Sequence, residues 1–268
     1  MKLVNSQHRS AFTIIELVVV VAVLAVGAAV LSPALAGSKP DTRAVQCRNN
    51  MRTLQVAQQM YASDHKGRLV GNAMGLAMPA PGSGNWVGGW MDWGNGMPTG
   101  SNTNLDYLVK TPLGPYFKSD ARLFKCPADV FRSNAGPRAR SYSMNGFVGG
   151  TTMRDLFSHT TYRIYLKDTD FVGPGETFTV IDEHPDSIND GLFVAGMPSG
   201  SWPAQAPWTD LPASQHQDGA SLSFFDGHVV THKWTDPTTL RPVSKTFSPL
   251  GTSLNDSRWL VQRASAPF

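Results

Sequence analysis

Several side chains in this 268-residue chain are types that do chemistry, and their spacing says which chemistry is open to them. Near the C-terminus stand His216, Asp218, Asp226, His228 and His232. As a zinc set they are poorly spaced. On a strand, His228 and His232 share a face but lie roughly 13 Å apart, too far for one ion unless the strand bends. Asp226 is explained more simply by the turn it forms with Gly227. A second cluster, Asp182-Glu183-His184-Pro185-Asp186-Ser187-Ile188-Asn189-Asp190-Gly191, gathers oxygen ligands in one turn. Oxygen-rich turns suit calcium, which takes six to eight oxygens, with Asp186, Asn189 and Asp190 as the expected ligands. The run does not have EF-hand spacing, and acidic turns also close loops without metal. The only cysteines, Cys47 and Cys126, form no Cys-x-x-Cys pair, so a cysteine-based metal or redox site is not expected. No nucleophile elbow, phosphate loop or zinc-protease helix is present, and no Ser/His/Asp spacing singles out a triad. The chain is expected to be no enzyme.

The elements that would position these groups are legible in outline. From Asp41 to Asp64, Ala44, Cys47, Met51, Leu54, Ala57 and Tyr61 recur every three or four residues. Arg43, Arg48, Arg52, Gln55 and Gln59 take the other faces, which predicts an amphipathic helix. His65-Lys66-Gly67 is its expected stop. Residues 71–104 are rich in Gly, Asn and Pro and carry Trp86, Trp90 and Trp93. They read as a long loop whose tryptophans anchor it to the domain, with a sugar-binding platform as the alternative. Ser141–Gly146 is expected to turn at Asn145-Gly146. Tyr162–Lys167, Thr177–Asp182, Gly191–Ala195, Ala220–Phe225 and His228–Trp234 are the expected strands. In the fourth, Leu222 and Phe224 alternate with Ser221 and Ser223, the pattern of a half-buried strand. Asp226-Gly227 predicts a hairpin to the fifth. One long helix followed by strands implies an α+β fold with an antiparallel sheet laid against the helix.

The N-terminus adds an anchor. Phe12–Leu31 is apolar apart from Glu16 and is as long as a helix that crosses a bilayer. A carboxylate inside such a run is costly and marks a function. Lys2 and Arg9 precede Phe12, and Glu16 is the fifth residue from it. Formal net charge is only +3 and the basic residues are scattered, so no nucleic-acid partner is expected.

This N-terminus resembles that of type IV prepilins and type II secretion pseudopilins, with Pro33 where such helices kink. His216 followed by nine residues and Asp226-Gly227 resembles a prepilin-type subfamily carrying a His-nine residues-Asp-Gly motif. The resemblance takes in Cys47-Arg48-Asn49-Asn50-Met51-Arg52-Thr53-Leu54, Phe124-Lys125-Cys126-Pro127-Ala128-Asp129 and Ile181-Asp182-Glu183. It implies a leader at 1–11, a transmembrane and fibre-core helix at 12–36, an amphipathic helix at 37–66 and a pilin-like head at 67–268. A prepilin peptidase would cut between Ala11 and Phe12 and methylate Phe12, with Ala11 standing where the family prefers Gly. Glu16 would pair with the Phe12 amine of a neighbouring pilin-like subunit. The protein would be single-pass in the inner membrane, its head in the periplasm or on the cell surface, serving a type II secretion or type IV pilus-like apparatus. In such an oxidising location Cys47 and Cys126 are expected to form a disulfide worth about 4 kcal/mol in the chain-entropy model, two buried free thiols being the alternative. The rival function is a membrane-tethered, glycan-binding module that does not polymerise. No cofactor is required beyond the calcium considered for the acidic turn.

Overall fold

The computed structural model describes residues 13–36, 42–73, 81, 83–150, 161–196, 206–246, 252–253 and 255–268, with side chains through residue 25 of the first helix. The chain divides into two units, Met1–Thr42 and Arg43–Phe268. In the first, helix α1 runs Ile14–Ala36. Its start is a capping box. Thr13 N and Thr13 Oγ1 both donate to Glu16 Oε2 at 2.9 Å, and Glu16 N donates back to Thr13 Oγ1 at 3.3 Å. Ala11 and Phe12, the expected cleavage and methylation pair, lie outside the described residues. Among the described residues no helix is long and apolar enough to cross a membrane. Of the expected span at 12–36, Phe12 and the side chains after residue 25 lie outside the described part.

The second unit is built on helix α2, Thr42–Asp64. Ala44, Cys47, Met51, Leu54, Ala57 and Ala62 are buried on one stripe, as their spacing predicts. The helix ends where expected. Lys66 and Gly67 both take positive φ, and Gly67 N reaches back to Ala62 O at 2.8 Å, closing the last turn. From Arg43 onward α2 belongs to this unit.

Five strands form the main sheet: β1 Tyr142–Asn145, β2 Phe178–Asp182, β3 Leu192–Phe193, β4 Gly219–Phe224 and β5 Val229–Lys233. They pair in the order β3-β1-β2-β4-β5. All pairs are antiparallel except β1 with β3, which is parallel. The fold is therefore α+β with a mixed, mainly antiparallel sheet. Two sequence expectations change. Ser141–Gly146 supplies a whole strand, β1, before its turn. Tyr162–Lys167 supplies only isolated bridges, from Tyr162, Tyr165 and Lys167.

The serines of β4 carry the larger correction. Ser221 and Ser223 are as completely buried as Leu222. Their face is covered by α2, whose own polar residues meet it. Thr179 Oγ1 donates to Gln55 Oε1 and lies 2.9 Å from Ser223 Oγ. Arg48 donates to Thr231 Oγ1, which is 3.2 Å from Ser221 Oγ. The register shift between Phe178 and Val180 lets Thr179 join this face. Gln55 is fully buried for the same reason. Small hydroxyls let the helix sit close, and the buried Gln55, Thr179, Ser221 and Ser223 each find a partner there.

Candidate functional site: a buried Cys-Cys-Asp-His cluster

Cys47, Cys126, Asp182 and His216 meet in the interior, one donor atom from each lying within 4.8 Å of the others. Each arrives on a different element. Cys47 is in the second turn of α2. Cys126 follows the short 3-10 turn Ala121–Phe124, whose start is capped by the Asp120 side chain accepting from Arg122 N. Asp182 ends β2. His216 precedes β4, and the chain between them turns through positive φ at Gln217 and Asp218. All four residues are at most 3% exposed.

The distances are 3.2 Å from Cys126 Sγ to His216 Nε2, 3.5 Å from His216 Nε2 to Asp182 Oδ2 and 3.7 Å from Cys47 Sγ to Asp182 Oδ2. Tyr142, opposite Asp182 in the β1–β2 ladder, donates its hydroxyl to Cys47 Sγ at 3.2 Å. Ser141 Oγ accepts from Cys126 N at 3.1 Å and donates to Asp129 Oδ2 at 2.7 Å. Asn50 Nδ2 donates to Lys125 O at 3.1 Å, tying α2 to the residue before Cys126. The segments around Cys47, Cys126 and Asp182 thus supply both the donors and their supports.

The electrostatics are those of a closed, dry site. Hydrogen bonding with Cys47 and burial push the Cys126 thiol far up, and burial raises Asp182. Burial works against a charged His216, but hydrogen bonds with Asp182 and Cys126 outweigh it and hold the imidazole at about 10. Among the described residues, Asp182 Oδ1 is buried with no hydrogen-bond partner.

This is not a Cys-His-Asp triad. A triad histidine faces its nucleophile with one ring nitrogen and its carboxylate with the other. Here Nε2 faces both Cys126 and Asp182. A fully buried thiol held in its neutral form is also no nucleophile.

Cys47 and Cys126, the expected disulfide partners, are neighbours and stand as free thiols in the structure. They turn instead toward a shared carboxylate and imidazole. Of the five C-terminal candidates only His216 enters the cluster. Asp226 Oδ1 accepts from His228 N at 3.0 Å and pairs with His228 Nδ1 at 2.6 Å in an exposed turn, where Gly227 has φ +98°. His232 stacks on Trp259 at 3.5 Å. Asp218 lies 3.9 Å from Lys233.

The acidic turn spends its oxygens on the chain itself. Asp186 Oδ2 accepts from Ser244 N at 2.7 Å and Oδ1 from Lys245 N at 2.9 Å. Asn189 Oδ1 accepts from Asp190 N, and Asp190 Oδ1 accepts from Leu192 N at 2.8 Å. These bonds close the turn and tie it to Ser244 and Lys245. Of the three loop tryptophans Trp86 is buried, while Trp90 and Trp93 are half-buried, with the Arg138 guanidinium over the Trp93 ring at 4.7 Å. Trp86 is thus an anchor of the loop to the domain.

The His-nine residues-Asp-Gly spacing acquires a physical reading here. It is the length of β4 with its two flanking turns. His216 meets Cys47 of α2 at one end. At the other, Phe225 O accepts from Gln59 Nε2 at 2.7 Å and Gln55 Nε2 at 3.3 Å. What sequence reasoning missed was the convergence of four single residues from distant segments. The signal was available, because Cys47, Cys126, Asp182 and His216 each sit inside one of the motifs quoted above.

Comparison with known proteins bears on the N-terminus. Residues 6–32 match the family model of the prokaryotic N-terminal methylation motif. No curated protein matches the chain, and no solved structure does. The chain thus carries a prepilin-type N-terminal segment.

Proposed function

We propose that the chain is a structural, prepilin-like subunit, a pseudopilin of a type II secretion or type IV pilus-like apparatus. The methylation motif over residues 6–32 carries this reading. A prepilin peptidase removes residues 1–11, methylates Phe12 and leaves α1 as the inner-membrane anchor. The same helix then packs against other pilin-like subunits, with the head in the periplasm or on the cell surface. The protein works by assembling rather than by catalysis.

Two experiments test this. Mass spectrometry of protein made with its native peptidase is expected to find an N-methylated Phe12 terminus. An intact Met1 terminus would overturn the reading. The capping box supplies the second test. A glutamine at the third helical position caps as glutamate does, but carries no charge. If Glu16 acts only on its own helix start, Glu16→Gln assembles like wild type. If its charge meets the Phe12 amine of a neighbour, Glu16→Gln inserts normally but loses crosslinked oligomers, as does Glu16→Leu. Equal oligomer in Glu16→Gln and wild type would refute the assembly role.

A further inference from the structure

We infer that Cys47, Cys126, Asp182 and His216 bind one zinc ion as a closed structural centre that fastens α2 to the head. The inference concerns the head and does not depend on the prepilin reading.

The donor set argues first. Two thiol sulfurs, one imidazole nitrogen and one carboxylate oxygen are the ligand types of tetrahedral zinc. With Zn–S about 2.3 Å and Zn–N or Zn–O about 2.0 Å, a tetrahedron has edges of roughly 3.3–3.8 Å between its donors. The separations of 3.2, 3.5 and 3.7 Å have that scale, and all four donor atoms lie within 4.8 Å of one another. The cluster has the spacing of ligands that can close on a common centre.

The second argument is burial. Two ionisable thiols, a carboxylic acid and an imidazole packed together at most 3% exposed are an expensive interior unless something rewards them. Asp182 Oδ1 adds a buried polar atom with no hydrogen-bond partner among the described residues. A dication repays this, because the thiols lose their protons to it and the carboxylate then faces a positive charge. A disulfide would use up both sulfurs and leave Asp182 and His216 buried without that charge.

The third argument is support and connectivity. The Tyr142 hydroxyl already donates to Cys47 Sγ, the orienting contact an outer shell supplies. Four protein ligands leave no position for water or substrate, so the centre is structural. Its ligands come from α2, the segment after Phe124, the end of β2 and the lead-in to β4. One ion would close all four elements onto one point.

The test uses the full-length chain in detergent. Metal analysis of protein purified without chelator is expected to give about one zinc per chain. Protein stripped by chelator under reducing conditions is expected to take up one equivalent of zinc sulfate. That zinc should protect both thiols from alkylation and raise the thermal midpoint by on the order of 10 °C. Cobalt(II) in its place is expected to show a thiolate-to-metal charge-transfer band and the intense visible bands of a tetrahedral ion. His216→Cys, which keeps four ligands, should retain the metal. His216→Ala should weaken it by about 100-fold or more, and Tyr142→Phe by about tenfold. A Cys47–Cys126 disulfide in the purified protein would overturn the inference. So would reduced thiols that alkylate equally fast with and without zinc. Both results are read on the wild-type chain, so a variant that fails to fold does not shield the inference.

Discussion

Removing the Trp86 side chain separates a core anchor from an exposed sugar platform, and the cost follows from its surroundings. Trp86 has no exposed surface and packs on Phe124, their ring centroids 5.9 Å apart. Its indole N–H donates to Asn72 Oδ1 at 3.2 Å and Gly191 O at 3.0 Å. Trp86→Ala leaves a cavity and is expected to cost about 3–5 kcal/mol. In a head of this size each kcal/mol lowers Tm by roughly 2–4 °C, so the midpoint should fall by on the order of 6–20 °C. Trp86→Phe keeps most of the apolar volume but removes the donor. Gly191 O still accepts from Met144 N at 2.8 Å, so only Asn72 Oδ1 loses its bond, at about 1–3 kcal/mol. The expected order of stability is wild type, then Trp86→Phe, then Trp86→Ala. Urea unfolding of the full-length chain in detergent, followed by far-UV circular dichroism, measures it. Trp86→Ala within about 1 kcal/mol of wild type would refute the anchoring argument and revive the glycan-binding reading.

Burial, with the nearby Glu183 and Asp190 carboxyls adding to it, raises Asp210 well above the usual carboxylate range. The folded state therefore holds that proton more tightly than the unfolded chain. This contribution to stability is fully present below about pH 4 and lost as pH rises through the folded value. Asp210→Asn should accordingly gain stability relative to wild type between pH 4.5 and pH 8 in urea unfolding, and a constant difference would refute the assignment. Asn145 Nδ2 donates to Phe178 O and Ala264 O, both at 2.8 Å, and its Oδ1 accepts from Phe147 N at 3.1 Å. Asn145→Ala should cost about 2–4 kcal/mol. Asn145→Asp should cost at least as much, because a carboxylate offers no hydrogen to the two carbonyls.

What could be read in advance follows from how local each signal is. The apolar spacing of α2 and its Lys66-Gly67 stop depend on nearby residues, and both stand in the structure. The Asp226-Gly227 hairpin is equally local, pairing β4 with β5 over Gly219–Ser223. Strand β1 was hidden because Asn145-Gly146 reads as a turn. Its fit to the sheet rests on Phe178 and Ala264, far along the chain. The buried serines of β4 were hidden too, since alternation reports which residues share a face and not what covers that face. The cluster was the least legible part. Cysteine spacing argued against a metal, yet ligands need only meet in space, and each of these four comes from a separate segment.

That arrangement explains why β4 begins and ends on polar chemistry. Beside its apolar stripe, α2 lies on serines and threonines of the sheet, and that part of the contact buries little apolar surface to fix its position along the strand. Two directional attachments solve this. Gln55 and Gln59 converge on Phe225 O at the hairpin end, and Cys47 meets His216 and Asp182 at the other. Sliding α2 by one turn, about 5.4 Å, would break both at once and leave buried polar groups unpaired. Polar contacts of this kind specify register more than they add stability. On the proposed function that register matters. A subunit whose α1 packs in a fibre or anchors in a membrane needs the following helix held at one place on its head, and α2 is held at both ends of a single strand.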